Sequence, residues 1–97
     1  MGKNSESIGS YGRMWMHFME MEHPELVREM QEQGQYKAVA QSVDRDAWAY
    51  RELLDAQYEQ MNPRPDGYEA ALQWERARAF YTDSAVMRER VLVAVTT

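Results

Sequence analysis

The stretch "QYKAVAQSVDRDAWAYRELLDAQYEQM" fills residues 35–61 and holds no proline or glycine. Read in steps of four and three, positions 36, 40, 43, 47, 50, 54, 57 and 61 carry Tyr, Ala, Val, Ala, Tyr, Leu, Gln and Met. Only Gln57 interrupts this stripe, so the spacing predicts one long helix with a coiled-coil-like face. At 1.5 Å per residue it spans about 40 Å. Val39 and Leu53 widen the face, as a bundle core requires.

Working downstream, "NPRPDG" at 62–67 is a turn by composition. A second long helix is expected from about Asp66 to about Ala94. Its seam reads Ala70, Gln73, Ala77, Phe80, Ser84, Met87, Val91 and Ala94, small residues alternating with large. Thr82, Asp83 and Ser84 are indifferent helix formers, so a kink, or a break with Asp83 as a new cap, is expected there if anywhere. "VLVAV" at 91–95 reads as helix rather than strand, because Arg88, Glu89 and Arg90 precede it in phase.

Working upstream, residues 1–9 read as a flexible leader and residues 10–97 as a single helical domain. Ser10 is a candidate N-cap. Tyr11, Met14, Trp15, Phe18, Met19 and Met21 fill one arc of about 160° on a helix, with Arg13, His17 and Glu20 opposite and Met16 off the stripe. Pro24 ends that helix at His23 and suits the first turn of another, which carries Leu26, Val27 and Met30 and stops at Gly34. The fold class is all-α: a long antiparallel helical hairpin with one or two shorter N-terminal helices packed across it.

A chain of 97 residues buries only about 60–65% of its unfolded surface, so the core is thin. It has no cysteine, which excludes disulfides, thiolate metal sites and cysteine nucleophiles. No apolar run reaches the length of a membrane span. "MGKNSESIGS" lacks the apolar core of a signal peptide, although it fits a myristoylation pattern. The net charge is −5. Residues 1–34 hold three basic and six acidic side chains, whereas residues 62–97 hold five of each. No basic face of the kind nucleic-acid binders carry is evident.

Little chemistry is written in the motifs. Glu20 and His23 form one Glu-x-x-His step, but a carboxylate di-iron bundle needs two such steps and two further glutamates. His17 and His23 point about 120° apart on a regular helix. There is no nucleophile elbow, phosphate-binding loop or dinucleotide fingerprint, and Ser42 and Ser84 lack sequence-level partners. Asp44 and Asp46, flanking Arg45, read as a solvated helix face. No enzyme activity, metal or cofactor is expected. Trp15, Trp48 and Trp74 lie one on each major helix. Trp48 and Trp74, each one step past a seam residue, are either lids on a thin core or partner anchors. Arg76, Arg78, Arg88 and Arg90 read the same way, with Arg76 placed to pair with Glu69 or Glu75.

"IGSYGRM", followed by "HPEL", a glycine and a long helix opening "YKAVAQSVDRDA", resembles the TnpV family, small proteins of bacterial transposons and related mobile elements. The matching residues are Gly9, Tyr11, Gly12, Arg13, Met14, His23, Pro24, Leu26, Gly34, Tyr36, Asp44 and Ala47. The likeness covers residues 8–61 well and 68–95 loosely. It implies a mobile-element context and a cytoplasmic bacterial setting, with no catalytic residue attached. Family members place basic residues directly after Arg-Met, where this chain has Trp15, Met16, His17 and Phe18. That departure favours protein contact over DNA contact.

The expected function is therefore a small non-catalytic factor of a mobile element that docks on another protein. Its expected contact residues are Met16, Glu20, Glu22, Glu25, Glu29, Trp48 and Trp74. One alternative is an anti-CRISPR-type inhibitor covering the basic nucleic-acid groove of a nuclease. A further alternative is a DNA-binding accessory factor of transposition. A homodimer that completes the thin core is also compatible with the seam pattern; no membrane partner is expected.

Overall fold

A computed structural model describes residues 7–93, and among them the chain is all-helical, with four α-helices packed together. They are α1 (Ser10–Glu22), α2 (Pro24–Glu32), α3 (Tyr36–Met61) and α4 (Tyr68–Val86), followed by a π-helical turn at Met87–Val91. Residues 1–6 of the expected leader and residues 94–97 lie outside the described residues. No described helix is long and apolar enough to cross a membrane.

The long stripe of α3 organises the core. Tyr36, Ala40, Ala47 and Leu54 are buried, and Val43 and Tyr50 pack half-buried against them. The stripe stops there: Gln57 and Met61 are exposed. α1 lies against the first half of α3 and inserts Tyr11, Trp15 and Met19, each at most 1% exposed.

α1 and α3 approach closely because two glycines stand at the contact. A Cβ on Gly12 would come within 2.7 Å of the Ala40 carbonyl oxygen, and one on Gly9 within 2.5 Å of Asp44 Oδ2. The Gly12 N–H, one of the donors a helix start leaves unpaired, bonds instead to Asp44 Oδ1 on α3 at 2.9 Å. Ser10 is thus not the cap. Gly9 holds the cap position, no side chain there bonds back, and Asp44 caps α1 from another helix.

His23 breaks the chain between α1 and α2, with Pro24 opening α2. α2 ends in a Schellman turn: the Gln35 N–H reaches the Met30 oxygen at 2.8 Å, the Gly34 N–H reaches the Gln31 oxygen at 3.0 Å, and Gly34 takes φ +71°.

α4 differs from its expected form in three ways. It runs unbroken through Asp83, and its irregularity comes later, at the π turn. It buries Ala71, Thr82, Ala85 and Val86 rather than the seam through Ala70, Ala77 and Phe80. Phe80 is 76% exposed. The physical reason is that alanines occupy every side of α4, so apolar spacing discriminates poorly. The face that packs inward carries Arg78, whose charge α3 meets: Arg78 lies 2.6 Å from Glu59 and 3.7 Å from Asp55.

Ion pairs tie α3 to α4 and the π turn along their length. Glu59 meets Arg78, Arg51 meets Asp83 and Asp46 meets Arg90, so the contacts descend α3 as they climb towards the C-terminus. The π turn itself has a packing cause. Val86 and Val91 are both fully buried. In a regular helix five residues advance about 500°, which would leave them about 140° apart. The wider turn, closed by the Leu92 N–H on the Met87 oxygen at 2.7 Å, brings Val91 back to the core.

Candidate functional site

Two features of α1 could carry function: a polar joint beneath it and an open apolar groove beside it. The joint is centred on Tyr11. Its ring is buried against Trp48, centroids 4.8 Å apart, and its hydroxyl donates to Asp83 Oδ1 at 2.6 Å while accepting from Arg51 Nη1 at 2.9 Å. Arg51 also lies over the Trp48 ring at 5.5 Å. Three helices therefore meet at one phenol. Burial raises the Tyr11 hydroxyl from 10.0 to about 12, the Asp83 bond adds to the rise, and Arg51 opposes it. Tyr36 forms a second joint: its hydroxyl donates to Glu20 Oε2 at 2.9 Å, and burial, followed by that bond, pushes it well above the usual tyrosine range.

The sign of the linkage follows. A phenol whose folded pKa lies above its unfolded value stabilises the fold fully below the unfolded pKa, and the contribution is lost as pH rises through the folded pKa. Urea midpoints are therefore expected to stay level in this respect up to about pH 10 and to fall between about pH 10 and 12. Tyr11→Phe should flatten that fall. An unchanged slope in the variant would assign the fall to other groups.

The groove has a volume of about 690 Å³ and is lined by Met14, Phe18 and Met21 of α1, by Met87 and Leu92, and at its rim by Arg13, His17 and Glu22. The methionines here correct the expected stripe. Met14 and Met21, expected in the core, are 42% and 67% exposed. Met16, expected off the core, is half-buried and packs against it. The apolar arc of α1 is wider than its neighbours cover, so its edge residues remain in solvent.

The other expected contact residues fall in different places. Glu20 is engaged by Tyr36, whereas Glu22, Glu25 and Glu29 are exposed. Trp48 is 42% exposed but stacks on Tyr11. Trp74 clasps the turn after α3: its Nε1 donates to the Asn62 oxygen at 2.6 Å, and Arg64 and Arg78 stand 5.6 and 5.1 Å from its ring centroid. Asp44 and Asp46 are not a solvated pair, since one caps α1 and the other binds Arg90. Arg76 makes no ion pair among the described residues, and Glu75 pairs with Arg64 instead. Sequence reasoning missed the joint of Tyr11, Arg51 and Asp83; Asp83 sits 72 positions from Tyr11, and no local spacing signals it.

Among the described residues no cluster of His, Asp and Glu is arranged to hold a metal ion. His23 instead packs edge-on to Phe18 at 5.8 Å. No family model matches this chain, and no curated protein or solved structure matches it either.

Proposed function

We propose that this chain is a small non-catalytic protein-binding factor of a bacterial mobile element, docking on a basic surface of another protein. The scaffold is read as an antiparallel hairpin of α3 and α4 with α1 and α2 laid across it. The mobile-element context rests on the TnpV-like residues Gly9, Tyr11, Gly12, Arg13, Met14, His23 and Pro24.

One contrast carries the docking surface. The carboxylates of Asp46, Asp55, Glu59, Glu75, Asp83 and Glu89 are held by arginines of the chain itself. Glu22, Glu25, Glu29 and Glu32 are exposed and enter none of the ion pairs among the described residues. Glu25, Glu29 and Glu32 share the side of α2 opposite Leu26, Val27 and Met30. An acidic face with no internal counter-charge suits a cationic partner, which it attracts over a distance set by salt. Arginines 51, 64, 78 and 90 are occupied internally, which leaves the DNA-binding alternative little basic surface.

The same face supports a sharper reading, in which the partner's basic surface is the nucleic-acid groove of a nuclease, as in anti-CRISPR-type inhibition. Affinity capture with mass spectrometry, run beside a nuclease DNA-loading assay, tests both. The expected result is a reproducible basic partner that is lost when Glu22, Glu25 and Glu29 become Gln. Glu20 is left intact, because it holds Tyr36. Equal recovery with the neutralised variant would overturn the docking surface. Unimpaired DNA loading would overturn the nuclease reading alone.

A further inference from the structure

α4 carries two stripes at helical spacing, and the chain uses one. The inward stripe packs through Ala71, Thr82 and Ala85. The other runs along the back of α4 through Ala70, Gln73, Ala77, Phe80, Ser84 and Met87, in alternating steps of three and four. Ala70, Gln73, Ala77 and Phe80 are exposed, Ser84 and Met87 half-buried, and Phe80 shows 76% of its surface. A heptad-spaced stripe with a large aromatic at its centre and no internal cover is half of a helix–helix seam.

We infer that this face binds a second copy of the chain, α4 against α4 in antiparallel register. The occupant is argued from self-complementarity, which a two-fold interface requires of one and the same surface. Consider the register that sets Ala77 opposite Phe80 of the partner copy. By the two-fold, Phe80 then meets the other Ala77. The same register sets Gln73 opposite Ser84 and Ala70 opposite Met87, so the stripe overlaps along its whole length. Each large side chain faces a small one, and the polar pair faces itself.

The flanks agree with this register. In antiparallel pairing, residues just before one set of seam positions meet their own kind across the interface. Here Arg76 meets Asp83 of the other copy, twice. Arg76 has no ion pair among the described residues, and Asp83 is half-exposed while its Oδ1 serves Tyr11. On the opposite flank Trp74 comes beside Tyr81, which is 52% exposed. A register shifted by one heptad towards the N-terminus would pair Arg76 with itself and shorten the overlap.

The test uses the full chain. Sedimentation over a range of concentrations is expected to show a dimer, and Phe80→Glu to leave a monomer with an unchanged melting curve in circular dichroism, since Phe80 contributes nothing to the core. Arg76→Glu is expected to weaken association at least about tenfold, because it places two like-charged pairs in the interface. The chain has no cysteine, so geometry can be read by oxidation. A mixture of Gln73→Cys and Ser84→Cys chains should cross-link between the two variants, and neither alone should. A monomer at every concentration, a dimer indifferent to Phe80→Glu, or cross-linking of Gln73→Cys chains to each other would overturn the inference. None of these variants touches α2, so the outcome is independent of the acidic docking face.

Discussion

Trp15→Ala is expected to lower the unfolding free energy by about 3–5 kcal/mol, measured from urea denaturation followed by far-ultraviolet circular dichroism. The indole is fully buried, the largest side chain in the core, and stacks on Tyr36 with centroids 5.8 Å apart. A domain of this size holds a total stability near the low end of about 5–15 kcal/mol, so the variant should be largely unfolded at 37 °C. Trp15→Phe separates packing from polarity. Trp15 Nε1 is buried and finds no hydrogen-bond partner. An unmet donor costs about 1–3 kcal/mol, which phenylalanine removes while leaving a small cavity. The two changes offset, and Trp15→Phe is expected within about 1 kcal/mol of the parent chain. Equal losses for both variants would show that the aromatic volume of Trp15 is not what holds α1 to α3.

The course of α3 was legible because one face of that helix carries all its large apolar residues up to Leu54, and nothing on the other faces competes. Its breaks were equally legible: Pro24 can only start a helix, and Gly34 fits the left-handed residue that a Schellman turn needs. α4 was misread for the opposite reason. Alanines at 70, 71, 77, 79 and 85 give every face some apolar character, and Phe80 made the wrong face look like core. The inward face is chosen by partners far away in sequence, Asp55 and Glu59 for Arg78 and Tyr11 for Asp83. Spacing within a helix cannot report such partners.

The candidate surfaces followed the same divide. That Glu22, Glu25 and Glu29 would lie in solvent is a property of residue type and local phase. Which methionine would be left out of the core depended on how wide a cover α1 receives. That cover is set by the placement of α2, α3 and the π turn together, so Met16 and Met21 exchanged their expected places.

The π turn gives the other large effect, through a contrast of two deletions. Removing Arg88 is expected to leave a cooperative fold, with the melting temperature lowered by no more than about 8 °C. Removing Arg76 is expected to abolish the cooperative transition. Both side chains are exposed, and Arg88 pairs only with its neighbour Glu89, so lost contacts do not distinguish them. Phase does. With Arg88 gone, Val91 follows Val86 by four residues, and a regular helix turns them to within about 40° of each other. The wide turn closes to an ordinary one and both valines stay inside. With Arg76 gone, everything after it rotates by about 100° relative to Ala71. Thr82, Ala85 and Val86 leave the core, and Asp83 leaves Tyr11. An Arg88 deletion as damaging as the Arg76 deletion would mean that the extra residue is not accommodated by the π turn, and that Met87–Val91 is held by its own contacts, Tyr50 with Glu89 and Asp46 with Arg90, rather than by the burial of Val91.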